Sequence, residues 1–583
     1  MEKLYTSTFK PSVFATDILK KGKIIQYAET PQDAIERVVN DLSSAEYKFG
    51  ATRREMINFA NQLGNYMDEK KIALNTSILT NAGREHNRPL SACSVPVVDL
   101  RGDLNKVKIT VDTYHKEGMG TGFNFSNVDD PVRILNFLND LAISGLEEGK
   151  EDRSVGNIGI CRIDHPGIME FIAIKTQQPD KKWMFNISVD IPNAFWHALQ
   201  SDSLWKLKNN NQILARTVFD QIISSVHASG DPGVIFLDRL NEDNPTPGIG
   251  EYISTAPCAE MGLVAGETCQ FGYINLAKFV KLKGISKQIN YQDLEQASFL
   301  LVRALDNALE LSLERFSIPT SKLINKARRK IGVGVCGFAD LLIDLELSYD
   351  SIEARKLAKN IFSFINFQTK IASFDLAKRR GSFEAMDLSI SCRYLENPGF
   401  IEKKYGSLDT DTISAKEWNI LADQIRTTRL LRNCSTIALP PTGRSSLIVD
   451  ASASIEPLFD LRENTSSYLG LIRRLQDINI DSPANRILLS STGSGQFINM
   501  PDEMKSIYKT ATEIDIYGHL SMVSAIQSCV DESISKTINI SAKEGPDKIG
   551  EIYLLAHQAG LKGITVYRNE SNKNQPKQLV KDK

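Results

Sequence analysis

The sequence predicts an α/β fold: one large, barrel-like domain behind a helical N-terminal region. Three observations carry this. Between about residues 90 and 280, short β-rich apolar runs alternate with amphipathic segments, the pattern of a largely parallel sheet covered by helices. Residues 1–75 are polar and helix-leaning. No internal repeat or flexible linker divides the 583 residues, although the length exceeds that of a usual single core.

In chain order, Pro31-Gln32-Asp33-Ala34-Ile35-Glu36-Arg37-Val38-Val39 reads as helix. Val95-Pro96-Val97-Val98, Asn157-Ile158-Gly159-Ile160 and Gly233-Val234-Ile235-Phe236-Leu237 read as strands, with a helical segment at Val132–Leu138 among them. Gln296–Arg315 and Ser351–Arg380 carry apolar residues at three- and four-residue spacing and read as long helices. The apolar run Ser435–Leu439 leads into Pro440-Pro441-Thr442-Gly443-Arg444-Ser445-Ser446. From Ser571 the residues are Lys-, Asn- and Gln-rich without apolar periodicity, so 571–583 is expected to be a disordered tail.

A net charge of −2 gives no electrostatic footprint for nucleic acid and no polybasic membrane patch. No apolar run reaches the length of a membrane span, and Met1-Glu2-Lys3-Leu4 does not begin a signal peptide, so a cytoplasmic location is expected. The eight cysteines show no CxxC spacing, and the seven histidines form no HxxxH or HExxH set, so no metal site is expected. Most of the cysteines are expected to be reduced core residues.

Ala256-Pro257-Cys258-Ala259-Glu260 sets a thiol two residues before a carboxylate on a Pro-containing loop, with Cys269 soon after. Such a pair can perform hydrogen-atom or proton chemistry on a hydroxyl-bearing substrate; a small buried hydrophobe is the other reading of a lone Cys. Thr442-Gly443-Arg444-Ser445-Ser446 offers hydroxyls, a cation and free N–H groups to a phosphate, or serves as a helix cap. Glu117–Ser126 is glycine-rich without being a Walker loop or a placed dinucleotide fingerprint; it reads as a ligand-approach loop or a tight turn.

Several stretches taken together resemble ribonucleotide reductase catalytic subunits, most closely the adenosylcobalamin-dependent class II enzymes. They are Pro89–Cys93, Gly120–Ser126, Asn157–Pro166, Phe185–Val189, Pro257–Glu260, Glu267–Leu276, Gly337–Asp340, Pro441–Gly443, Ile455–Phe459, Ser535–Asn539 and Lys562–Arg568. The resemblance implies a ten-stranded α/β barrel over 76–570, with a finger loop near 256–260. It implies a thiyl radical on Cys258 that abstracts the substrate 3′-hydrogen, Glu260 as general base, and Cys93 with Cys269 as the reducing dithiol. Substrate would be held by Ser91, Ala92, Ala256, Pro441, Thr442, Gly443, Arg444, Ser445 and Ser446. Gly120, Thr121, Gly122 and Phe123 would bind the adenosylcobalamin cofactor, and Arg153 a nucleotide effector. The implied partners are a ribonucleotide substrate, an external dithiol reductant such as thioredoxin, and a second copy in a homodimer.

The chain departs from the family pattern at named positions. Ala256 stands where the finger loop normally carries asparagine, Met119 where a third glycine is common, and Ile78 where threonine is usual. Arg153-Ser154-Val155-Gly156-Asn157 replaces a stretch associated with effector control, and no N-terminal ATP-cone is recognised. The last cysteine is Cys529, so re-reduction is expected from an external dithiol. Two other readings fit these features: a divergent radical paralogue acting on a different nucleotide, and a class I catalytic subunit needing a radical-generating partner.

Overall fold

The computed structural model describes residues 3–147, 155–284, 286–388, 391–462, 466–569 and 571. The helix-leaning N-terminal region forms helices at Val13–Lys21, Pro31–Ser44 and Arg53–Asp68. Thr30 and Thr52 start the second and third with reciprocal capping boxes to Asp33 and Glu55, and Pro31 takes the first helical position, where its missing N–H costs nothing. Leu42, Phe59 and Leu63 on their inner faces join the main core.

Eight strands form one sheet. Its central run is parallel: Cys93–Ser94, Gly120–Asn124, Asn157–Arg162, Phe185–Asp190 and Gly233–Ile235 lie side by side in chain order. Helices Leu104–Lys116, Pro131–Glu147, Ile168–Gln177 and Ala215–Ser229 make the crossovers. Gly563–Arg568 pairs antiparallel with Gly233–Ile235 and parallel with Thr537–Ile540, and at the other edge Thr268–Cys269 pairs antiparallel with Cys93–Ser94. A three-stranded sheet continues from there: Phe271–Asn275 lies between Ile72–Leu74 and Gly332–Cys336. Helices Tyr291–Leu313 and Ile352–Arg380 match the two long amphipathic segments.

One expectation changes. The strand read at 95–98 sits instead at Cys93–Ser94, because Pro96 cannot donate to a ladder. The run 435–439 makes two single parallel bridges, Val333↔Ile437 and Leu439↔Ile534, and Pro440 and Pro441 then end it. The ladders form an eight-stranded and a three-stranded sheet, together with three two-stranded ones among the described residues. The tail from 572 and Arg153 lie outside the described residues. No helix among the described residues is long and apolar enough to cross a membrane.

Candidate active site

The Pro257–Glu260 segment is the tip of a hairpin. Ser254–Thr255 pairs with Gly262–Leu263, and two backbone bonds close the turn: Ala256 N–H to Met261 O at 2.9 Å and Ala259 N–H to Ala256 O at 2.9 Å. Ala259 takes a left-handed conformation (φ 61°), which costs a residue with a Cβ roughly 1–2 kcal/mol. Ala259→Gly is expected to raise stability by about 1 kcal/mol, less the extra entropy of glycine in the unfolded chain. An unchanged or lower denaturation midpoint would contradict this.

The rising arm of the hairpin lies against the parallel strands, and glycines make the room. A Cβ on Gly122 would fall 2.1 Å from Thr255 O; one on Gly120 would fall 3.1 Å from Pro257 Cγ and 3.4 Å from Cys93 Sγ. Asn186 Nδ2 donates to Pro257 O at 3.2 Å. Pro257 and the Cys93 thiol therefore both meet the Gly120 backbone. Cys93 and Cys269 are direct cross-strand partners, and the Cα separation of such partners falls within disulfide reach. Cys269 is buried, with its Sγ 3.7 Å from Cys93 O, and the two are not joined by a disulfide.

Six of the eight cysteines are buried, Cys93 is half-buried and Cys258 is exposed. Cys258 faces open space at the loop tip, yet protein surrounds the loop closely. Desolvation pushes its thiol well up, with the neighbouring Glu260 and Cys93 adding to the shift. Glu260 is buried, and desolvation pushes its carboxyl up to about 7 against the backbone N–H groups of Cys258 and Glu260, which favour ionisation. Its Oε2 has no partner among the described residues.

The returning arm is held by buried charges. Lys330 Nζ donates to Gly262 O at 2.6 Å, and Gly262 N–H donates to Glu532 Oε2 at 3.2 Å, so the backbone of one residue is gripped on both sides. Lys330 pairs with Glu532 at 3.1 Å and lies 3.5 Å from Glu267, which pairs with Arg328 at 2.6 Å. Ser533 N–H donates to Glu260 O at 3.0 Å. Sequence reasoning missed all of these, because Arg328-Arg329-Lys330 reads as an ordinary solvated charge run.

Ala256 is fully buried in a small apolar cluster with Met261, Cys269, Phe271, Tyr273 and Ala438, against which Cys93 and Ala92 pack. Ser91 Oγ receives Gln270 Nε2 at 2.6 Å and lies 3.0 Å from Thr268 Oγ1. Ala92 N–H donates to Cys269 O. Pro441–Ser446 lies beside strand Ile72–Leu74: Ser445 Oγ donates to Leu74 O, Ser446 Oγ to Gly443 O and Thr442 Oγ1 to Pro441 O. Thr442 and Gly443 have positive φ, and Arg444 is exposed. Gly120–Phe123 is buried; Thr121 Oγ1 donates to Asn157 Oδ1 and Phe123 packs on Phe125 and Phe185, so this stretch seats the hairpin. Met119 and Ile78 are buried apolar residues.

Buried His115, His165 and His519 are each hydrogen-bonded to protein groups, and no group of three or more His, Cys, Asp or Glu among the described residues could hold a metal. A cavity of about 890 Å³ between the N-terminal helices and the two long helices, lined by Phe49, Arg303 and Arg380 among others, shares no lining residue with the hairpin.

Fold and site together define an α/β domain that presents one thiol at a loop tip beside a facing cysteine pair and a buried carboxylate. Residues 110–567 match the ribonucleotide reductase barrel domain, and the chain belongs to that family. It is 33% identical over 544 residues to the vitamin B12-dependent ribonucleoside-diphosphate reductase of Thermoplasma acidophilum, covering 88% of this chain and 66% of that protein. The enzyme of the same name from Mycobacterium tuberculosis is 30% identical, covering 97% of this chain and 80% of its own length. The class Id ribonucleotide reductase alpha subunit of Actinobacillus ureae shares the fold, with a TM-score of 0.75 at 20% identity over 97% of this chain and 98% of that one. The resemblance to class II reductases thus extends over most of the chain.

Proposed function

We propose that the chain reduces ribonucleotides to 2′-deoxyribonucleotides with adenosylcobalamin, using Cys258 as the radical thiol and Cys93 with Cys269 as the two-electron donor. The observation that carries this reading is the meeting of three thiols: the Cys258 loop is seated on Gly120 next to the Cys93 thiol, and Cys93 stands opposite Cys269. When bound, the cofactor supplies the radical that takes the hydrogen atom from Cys258. The chain fits such a group, since Cys258 alone among its cysteines is exposed.

The thiyl radical takes the 3′-hydrogen of the ribose while the Glu260 carboxylate takes the 3′-hydroxyl proton. One thiol of the facing pair protonates the departing 2′-hydroxyl, which leaves as water. The two cysteines then supply two electrons and the second proton as they close to a disulfide, and Cys258 returns the hydrogen to C3′ while Glu260 returns its proton to the 3′ oxygen. The reaction reduces one C–O bond to C–H and oxidises two thiols to one disulfide. Ser91, Ala92 and the 441–446 loop are the substrate contacts of this reading, and Gly120–Phe123 borders the side from which the cofactor approaches. The two single bridges of 435–439 support a ten-stranded closure of the sheets around the finger loop. An external dithiol such as thioredoxin, a homodimer, a nucleotide effector and a cytoplasmic location complete the proposal.

The stoichiometry tests it. Pre-reduced protein without external reductant should yield about one deoxynucleotide per chain while losing two titratable thiols. Cys269→Ser should lose sustained turnover yet still exchange the 3′-hydrogen. Full turnover by Cys269→Ser would overturn the dithiol assignment. Because Glu260 must be ionised to act as base and burial raises it to about 7, kcat/KM should rise with pH through about 7 and fall about tenfold per unit below it. A profile flat from pH 5.5 to 8 would contradict that role.

A further inference from the structure

Tyr273 is buried at the centre of this site, and the reaction as described gives it no task. It lies on strand Phe271–Asn275, and strand alternation puts it on the same face as Cys269 and Phe271. Its register partners are small, Ala73 on one side and Gly334 on the other. A Cβ added to Gly334 would fall 3.1 Å from both Tyr273 Cδ1 and Pro440 Cδ. The ring therefore lies between the cluster that holds Ala256 and Cys269 and the proline that leads into the 441–446 loop. In the proposed reaction this is the space between the ribose and its phosphates.

The hydroxyl is oriented. Asn75 caps helix Thr76–Asn81 through its Oδ1, which receives Ser77 N–H, and this fixes the amide so that Nδ2 donates to Tyr273 Oη at 3.0 Å. Tyr273 Oη is thus held as an acceptor, and no described group takes its own proton. Burying a phenol this deeply is costly unless its donor finds a partner. Burial most of all, and then Glu260, Cys269 and Cys93 electrostatically, oppose ionisation of the phenol, so it stays a neutral donor. Position 256, in the same cluster, is an alanine with no donor, and Glu260 Oε2 is an unpartnered acceptor.

We propose that Tyr273 is a further catalytic residue: its hydroxyl, oriented by Asn75, donates a hydrogen bond to a ribose hydroxyl oxygen of the bound nucleotide. The inference rests on the reductase reading and names the group that recognises the sugar. A tyrosine present only to fill the core would not distinguish one sugar from another.

The test is equilibrium binding to the full chain, using whichever of ADP, GDP, CDP and UDP the wild type binds most tightly, with its 2′-deoxy and 3′-deoxy analogues. In Tyr273→Phe, the preference for the ribonucleotide over one of the two analogues should fall about tenfold, the scale of one hydrogen bond. Affinity for that analogue itself should be unchanged. Asn75→Ala, which frees the hydroxyl without removing it, should cause a smaller loss of the same preference. Unchanged preferences over both analogues in Tyr273→Phe would overturn the proposal while leaving the reductase reading intact. A wild type that binds none of the four diphosphates and none of the corresponding triphosphates would overturn both. If Tyr273→Phe lowers the melting temperature and weakens all three ligands equally, the residue is structural and the proposal fails.

Discussion

Cys258→Ser should lose at least about four orders of magnitude in turnover, the scale on which removing a group that bonds or reacts with substrate acts. The cause is local. A serine O–H bond is much stronger than a thiol S–H bond, so the hydroxyl does not give up its hydrogen atom and no radical forms to attack C3′. The fold should not change. Cys258 is exposed at the tip of a turn whose closing bonds are backbone bonds of Ala256, Ala259 and Met261, and none uses the thiol. Thermal unfolding and nucleotide binding should match the wild type. The pairing of intact binding with lost turnover separates loss of the radical from loss of the loop. Retained multiple turnover would remove Cys258 from the mechanism.

Arg328→Met should cost about 3–5 kcal/mol of stability, the penalty for leaving one partner of a buried ion pair alone. Arg328 and Glu267 are both fully buried, 2.6 Å apart, and Arg328 also donates to Tyr252 Oη at 3.2 Å. Without the guanidinium, the Glu267 carboxylate keeps the Val264 N–H at 3.1 Å and Lys330 at 3.5 Å. Neither replaces the lost charge-assisted bond. Because Lys330 also grips Gly262 and pairs with Glu532, a displaced Glu267 pulls on the arm that carries Glu260. Adding Glu267→Gln removes the stranded charge while keeping an acceptor for Val264, and should recover much of the stability. Denaturant midpoints of the single and double variants check this. If Arg328→Met lies within about 1 kcal/mol of wild type, the pair does not anchor the hairpin.

The groups of the proposed site were legible in the sequence because each is a rare residue type in a distinctive local string: Cys258 two before Glu260, Cys269 after Glu267-Thr268, Cys93 after Pro89-Leu90-Ser91-Ala92. The parallel α/β run was legible from its alternation. What holds the reactive groups in place was not. Lys330, Glu532 and Arg328 act through neighbours tens to hundreds of residues away, and in sequence a buried charged residue looks like an exposed one. Tyr273 reads as an ordinary strand aromatic until Asn75, 198 positions earlier, is placed against its hydroxyl. The strand at Cys93–Ser94 was displaced in the reading by the more apolar Val95–Val98, where Pro96 blocks pairing. The apolar run 435–439 joins its neighbours only through single bridges.

The central claim is tested most directly by anaerobic incubation of the purified chain with adenosylcobalamin, excess small dithiol and all ribonucleoside di- and triphosphates, with products read by mass spectrometry. The account predicts a 2′-deoxynucleotide whose formation requires the cofactor and disappears in Cys258→Ser. Full cofactor-dependent consumption of a nucleotide without any 2′-deoxy product would contradict it.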